Sequence, residues 1–439
     1  MERSMPLSGL RVAAHTLGCK LNFAETSSLV DALCSKGARR AAEGERADIA
    51  IVGTCSVTDV ADQKCRQAIH RMVRRHPGAY LVVVGCYAQL AAEQLSRIEG
   101  VSLVVGMEQK AQAAELICKG LGGHAAAVAT GTWKEIRTFV PSCSRGDRTR
   151  YFLKVQDGCD YFCTYCTIPL ARGRSRNATI GSLVAQARRV AESGGREIIL
   201  TGVNIGDFGK STGETFCDLV KALDRVEGIE RYRISSIEPN LLTTEIIDYC
   251  ARSPRFMPHF HVPLQSGSDE VLRLMHRRYD TASFERKIAA IKEKIPHAFV
   301  GVDIIVGTRG ETDELFAESL AFCASLPVAR YHVFSYSERE GTAALRIPYI
   351  VDGQTKHMRS RRMIELSEQK HHLFCSAFIG EVRPVLVEHY GPGEAAYGFT
   401  DNYIRVEIEA GRAPAPNTVV PVRLDGFAGD GKTVCATPV

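Results

Sequence analysis

Residues 151–166 read YFLKVQDGCDYFCTYC, a short apolar strand that runs directly into three cysteines, Cys159, Cys163 and Cys166. Their spacing is C-x3-C-x2-C, an aromatic residue (Tyr165) precedes the last of them, and the next cysteine is Cys217. Inert core thiols have no reason to crowd in this way. A structural zinc site asks for four closed ligands, usually as two separated pairs. Three thiolates suit instead a cubane iron–sulfur cluster whose fourth iron stays open, so that a small molecule can bind there.

The pattern around this stretch repeats. Strand-like segments at 197–203, 231–238, 259–265, 298–307 and 330–336 alternate with helical ones such as SLVAQARRVAESG and FERKIAAIKEKI. Six such units predict a partial (βα)6 barrel, with its chemistry at the carboxyl ends of the strands. Upstream, RVAAHTLGC, ADIAIVGTC and YLVVVGC are short strands that each end in a cysteine, Cys19, Cys55 and Cys86. Amphipathic stretches between them predict an open parallel sheet, and its carboxyl edge can gather residues distant in sequence. Residues 118–150 are rich in Gly, Ala and basic residues without periodicity and read as a linker. The last sixty or so residues are short strands punctuated by Gly and Pro, as in a small antiparallel β-barrel. The predicted architecture is α/β in three domains, 9–122, 145–376 and 377–439.

Composition sets the outer limits. The chain has 439 residues, 45% of them hydrophobic and 24% charged, which allows several buried cores. No apolar run nears the roughly 18 residues of a membrane span, and no leader pattern opens the chain, so the cytoplasm and no membrane partner are expected. Fifteen cysteines in a reducing compartment point to metal or chemistry rather than a disulfide framework. The net charge of +5 permits an anionic partner without requiring one.

The triplet after the first barrel strand resembles the radical S-adenosylmethionine (SAM) superfamily. In that superfamily the amino and carboxylate groups of SAM chelate the open iron, and reduction yields a 5′-deoxyadenosyl radical that abstracts hydrogen. HTLGCKLNFAE, VGTCSVT, VVGCYAQ, VQDGCDYFCTYCTIPLARG, LTGVNIGDFG, RISSIEP, HVPLQSGSD and GFTDNY together resemble the methylthiotransferases, in family order along nearly the whole chain. The resemblance implies a flavodoxin- or Rossmann-like first domain, a TIM-like radical SAM barrel and a TRAM-like terminal barrel. It implies two [4Fe-4S] clusters, one on Cys159, Cys163 and Cys166 and an auxiliary one on Cys19, Cys55 and Cys86. It places Tyr165 at the SAM adenine and Gly202, Glu238 and Gln265 near other SAM moieties. One departure stands out: where the family commonly has Gly-Phe-Pro-Gly-Glu-Thr, this chain has Gly307-Thr308-Arg309-Gly310-Glu311-Thr312, which is expected to bring a charge near the pocket.

HTLGCKLN looks most like the branch acting on threonylcarbamoyladenosine beside the tRNA anticodon. Isopentenyladenosine in tRNA and an aspartate of a ribosomal protein are the alternatives within the family. A non-catalytic iron–sulfur protein that binds RNA or passes electrons is the alternative from another class. The implied partners are tRNA, a reductant such as a flavodoxin or ferredoxin, and a sulfur donor that the sequence leaves open. Arg172, Arg174 and Arg176 follow the triplet and are candidate phosphate contacts. From Glu381 onward five basic residues face eight acidic ones, so RNA contact there would rest on shape or on stacking by Phe399 or Tyr403.

Overall fold

A computed structural model describes residues 7–121, 127–144, 149–391, 395–412 and 414–439. The first domain is a parallel sheet of β1 (Arg11–Thr16), β2 (Arg39–Arg40), β3 (Ile49–Thr54), β4 (Tyr80–Gly85), β5 (Val101–Val105) and β6 (Ala127–Ala129), in the order β2-β1-β3-β4-β5-β6. The central strands are apolar on both faces because helices cover both. The edge strands β2 and β6 are too short to show a period. β6 lies inside the stretch read as a linker and pairs with β5 through Leu103–Ala127, Val104–Val128 and Val105–Ala129.

The second domain supplies β7 (Arg150–Lys154), β8 (Gln156–Asp157), β9 (Arg176–Asn177), β10 (Glu197–Thr201), β11 (Arg231–Ile234), β12 (His259–His261), β13 (Phe299–Val306) and β14 (Arg330–Ser335). Two parallel triplets, β7-β10-β11 and β12-β13-β14, join through the parallel bridges Tyr232–Phe256 and Ser236–His261, so the six strands form one arc. Side chains alternate along each strand. Leu153, Ile198 and Leu200 join the core under the outer helices, whereas Phe152 and Ile199 form a separate cluster with Ala24. The helix Lys20–Ser35 of the first domain therefore packs on the inner face of the arc, with Phe23 edge-on to Phe152 at 5.6 Å. The antiparallel pair β8–β9 clamps both ends of the loop that carries Cys159, Cys163 and Cys166.

The last domain closes β15 (Val382–Tyr390), β16 (Ala396–Thr400), β17 (Arg405–Ile408), β18 (Val419–Phe427) and β19 (Val434–Pro438) into a barrel ordered β15-β16-β17-β19-β18. It docks on the amino-terminal ends of the arc's strands. Arg231 donates to the carbonyls of Phe399 (3.1 Å) and Pro384 (2.8 Å), and Arg233 to those of Thr400 and Asp401 (both 2.8 Å). Phe399 and Tyr403 stack on each other at 4.7 Å, Arg150 lies 4.6 Å over Phe399, and Tyr403 packs 4.3 Å from His259. These two aromatics are thus committed to the seam between domains, which corrects the reading of them as a stacking surface for RNA.

No helix among the described residues is long and apolar enough to cross a membrane. Because Tyr403 carries much of the seam, Tyr403→Ala should weaken docking by about 3 kcal/mol. The observable is faster limited proteolysis around residues 377–381, with the barrel's own secondary structure retained by circular dichroism.

Candidate active site and its two cysteine triads

Cys159, Cys163, Tyr165 and Cys166 line a cavity of about 320 Å³ together with Glu238 and Gln265. The loop that presents them is tightly constrained. Gly158 has φ +71, and a Cβ there would lie 2.0 Å from the Arg174 carbonyl oxygen. Gln156 ties the loop to the end of β10: its Nε2 donates to the Gly158 carbonyl (2.7 Å), and its Oε1 accepts from the backbone of Val203 (3.0 Å) and Asn204 (2.9 Å). Burial, and then the charge of Cys163, push the Cys159 thiol up to about 12, against a backbone N–H from Tyr161 that lowers it. Burial likewise raises Cys163 and Cys166. Metal cations held by the three sulfurs would reverse that preference, because a coordinated thiol is deprotonated. Among the described residues no three His, Cys, Asp or Glu side chains converge tightly enough to hold a single ion.

Gly202 does not line the cavity. It supports it from behind, where a Cβ would come within 2.9 Å of the Gln156 carbonyl oxygen. Gln265 is held at φ +72, in the left-handed region, a strained backbone for a side chain of this size. Two further residues escaped the sequence reading. Asn204, 2% exposed, lines the cavity with both side-chain amide atoms unpaired among the described residues. Such orphaned polarity costs free energy unless a ligand satisfies it, so the cavity suits a polar guest such as SAM. Arg277 donates to Cys163 Sγ at 3.1 Å, pairs with Glu238 and lies 4.9 Å over Tyr279. Asn204 lies within the LTGVNIGDFG motif, just past a strand, whereas nothing in the sequence context of Arg277 marks it.

The other triad sits at the carboxyl edge of the first sheet, where Cys19, Cys55 and Cys86 follow β1, β3 and β4. Gly85 at φ +108 lets β4 approach β3 so closely that a Cβ there would lie 2.3 Å from the Thr54 carbonyl oxygen. A Cβ on Gly18 would similarly meet the Cys55 Cβ at 2.6 Å. Burial first, then the charge of Cys86, lift Cys55 to about 12. Cys65, on the helix Asp59–Arg75, is fully buried against this triad: its Sγ accepts from the Cys55 N–H at 3.3 Å.

The two triads meet. Thr167, the residue after Cys166, donates its hydroxyl to the carbonyl of Ser56, the residue after Cys55, at 3.3 Å. Val57 and Thr58 of the same loop line the cavity of the Cys159 triad. Beneath this contact lies Arg172, 1% exposed, which donates to Cys86 Sγ (3.2 Å), Asn22 Oδ1 (2.6 Å), Glu25 Oε1 (3.1 Å) and Asp157 Oδ1 (2.9 Å). Arg176 donates to Asp157 Oδ2 at 3.0 Å. Neither Arg172 nor Arg176 is available to a phosphate, which corrects that expectation. Arg174 alone of the three is exposed, 4.5 Å over Phe162 and 3.6 Å from Asp160. The Gly307–Thr312 turn keeps φ +73 and +84 at Gly307 and Gly310. Its Arg309 is spent on Glu338 (2.7 Å) and the Leu345 carbonyl (2.7 Å) and adds no charge to the cavity wall.

An arc of six βα units with C-x3-C-x2-C after its first strand, opening on a ligand cavity, defines a radical SAM enzyme. Residues 153–323 match the radical SAM superfamily, and residues 11–106 match a family described as uncharacterized protein family UPF0004. The chain is 37% identical to threonylcarbamoyladenosine tRNA methylthiotransferase MtaB of Bacillus subtilis, over 90% of this chain and 89% of that one. It is 32% identical to tRNA-2-methylthio-N(6)-dimethylallyladenosine synthase of Anaeromyxobacter dehalogenans, over 95% and 92%. The radical SAM methyltransferase TsrM of Kitasatospora setae shares the fold over 98% of this chain and 88% of its own, with a TM-score of 0.56 at 15% identity. This chain belongs to the radical SAM methylthiotransferase family. The superfamily it matches is named for SAM, and TsrM was solved with a [4Fe-4S] cluster bound.

Glu25 and Asp157 are held below the ordinary carboxylate range: burial raises both, but Arg172 and Lys154, with Lys110 at Glu25 and Arg176 at Asp157, outweigh it. A depressed carboxylate gives stability that is complete above its unfolded pKa near 4 and is lost as pH falls below it. Asp157→Asn should therefore cost about 3 kcal/mol at pH 7 by stranding buried cations. Thermal unfolding followed from pH 7 to 3 should show the variant losing less on acidification than the native chain.

Proposed function

We propose that this enzyme inserts sulfur and a methyl group at carbon 2 of threonylcarbamoyladenosine next to the tRNA anticodon. Cys159, Cys163 and Cys166 hold the cluster that binds SAM, and Cys19, Cys55 and Cys86 hold the second. When bound and reduced, a cluster held by Cys159, Cys163 and Cys166 would supply the electron that cleaves SAM to a radical able to attack a carbon–hydrogen bond. The protein's own residues position and shield. Tyr165 would meet the adenine of SAM, Asn204, Glu238 and Gln265 would offer it polar contacts, and Gly202 gives the strand end room. Arg277 holds Glu238 in place beside Cys163.

The observation that carries this reading is the Thr167–Ser56 hydrogen bond, which sets the loop after one triad against the loop after the other at a shared cavity. Sulfur insertion needs a radical centre and a sulfur-bearing centre within reach of one substrate atom. The choice of substrate rests on relatives of 30–37% identity named for threonylcarbamoyladenosine. Relatives named for dimethylallyladenosine at 31–32% identity keep the isopentenyl substrate as the second reading. A low-potential reductant, such as flavodoxin or ferredoxin, completes the system, and the cytoplasm is its proposed location.

Mass spectrometry of tRNA nucleosides from cells lacking the protein should show loss of the methylthio form and accumulation of threonylcarbamoyladenosine. An unchanged threonylcarbamoyladenosine profile would sink the substrate assignment. In the purified enzyme, Cys163→Ala should abolish 5′-deoxyadenosine formation, whereas Cys55→Ala should keep it and stop sulfur insertion. Substrate modified normally by the Cys55 variant would remove the role given to the second triad.

A further inference from the structure

The cavity of the Cys159 triad continues outward. Thr58, Phe334, Ser335, Tyr336 and Ser337 border both it and a second, open groove of about 670 Å³, a size suited to a nucleoside-sized guest. Val60 and Ile350, both more than half exposed, and the ring of Phe334 give the groove an apolar lining. Two carboxylates stand in it, and each is already paired. Asp59 is bound by Arg339 at 2.5 Å and Glu338 by Arg309 at 2.7 Å. Lys356 is different. It lines the groove from the helix Gly353–Ser376, its ammonium lies 5.2 Å over Tyr336, and it makes no ion pair among the described residues. Its influence on Glu338 is lesser than that of Arg309.

We propose that this groove takes the threonylcarbamoyl arm of the substrate nucleotide, with Phe334 against the adenine ring and the Lys356 ammonium on the threonine carboxylate. The inference rests on the substrate reading above. An unstacked base set on an aromatic ring is a usual mode of RNA recognition, and the groove leads to the sulfurs that would act on it. An ammonium that makes no ion pair among the described residues, at the edge of an apolar groove, complements a substituent that is aliphatic in its body and anionic at its end. An isopentenyl arm has the first property without the second. Lys356 thus separates the two adenosine substrates by charge, as a hydrogen-bonding site rejects an analogue lacking the matching group.

The test uses the cluster-loaded enzyme without reductant and an anticodon stem-loop RNA carrying threonylcarbamoyladenosine, either as the free acid or as its methyl ester. Dissociation constants from fluorescence anisotropy should favour the free acid by about 10-fold in the native enzyme, as one hydrogen bond to a charged group supplies. Lys356→Met should erase that preference and Lys356→Arg should keep it. A Lys356→Met enzyme that still prefers the acid, or a native enzyme with no preference, overturns the proposal. Product analysis with reduced native enzyme separates the two readings. If it methylthiolates only an isopentenyl stem-loop, the substrate assignment falls and this inference with it. If it methylthiolates the threonylcarbamoyl stem-loop while the variant keeps the acid preference, only the role of Lys356 falls.

Discussion

The buried guanidinium of Arg172 is the constraint on which the arrangement depends. With Lys110, Lys154 and Arg176 it makes four cations around two carboxylates, Glu25 and Asp157, drawn from both domains. Buried ion pairs of this kind contribute little net stability over an apolar core, but breaking one is costly. Their value here is positional. The cations exceed the carboxylates by two, and the excess lies against Cys86, where a thiolate-bound cluster would place negative charge. The network thereby ties the two triads together and sets positive charge where an anionic cluster on Cys86 would be stabilised.

Six strands do not close a barrel, and each opening has its own cover. The helix Lys20–Ser35 lies along the inner face of the arc, and the terminal β-barrel closes the amino-terminal ends through Arg150, Arg231, Arg233 and Tyr403. The carboxyl ends remain, with the loop Ser56–Thr58 at their rim. The access this leaves is the groove beside β14, where the first and second domains both contribute walls. Exclusion of water from the radical chemistry and admission of a large substrate are thus assigned to different faces of one arc.

Much of this was legible in the sequence because it follows from local rules. Apolar runs ending in a small residue and a cysteine gave the strands and both triads, since strand direction and turn geometry depend on neighbours only. Burial is different. Arg172, Arg174 and Arg176 look alike as LARGRSR, yet two are buried counter-ions and one is exposed, a distinction set by Glu25 and Asp157 in other elements. Phe399 and Tyr403 could not be placed because their partners, Arg150 and Arg233, lie more than 150 residues away. Arg277 and Cys65 acquire meaning only from what they touch. β6 was hidden because three residues carry no readable period.

The inner helix also bears on how the chain is made. Residues Phe23 and Ala24 emerge from the ribosome about 130 to 175 residues before their partners Phe152 and Ile199. At a synthesis rate of roughly 5–20 residues per second, the first domain waits on the order of 10 s with this face uncovered. Such an interval invites aggregation when the waiting surface is apolar. Here it is small and flanked by polar residues, since Asn22 and Glu25 bracket the two apolar residues and later receive Arg172 and Lys154. The polar seam between the domains thus also serves as protection for a nascent chain, keeping the first domain soluble until the second exists to receive it.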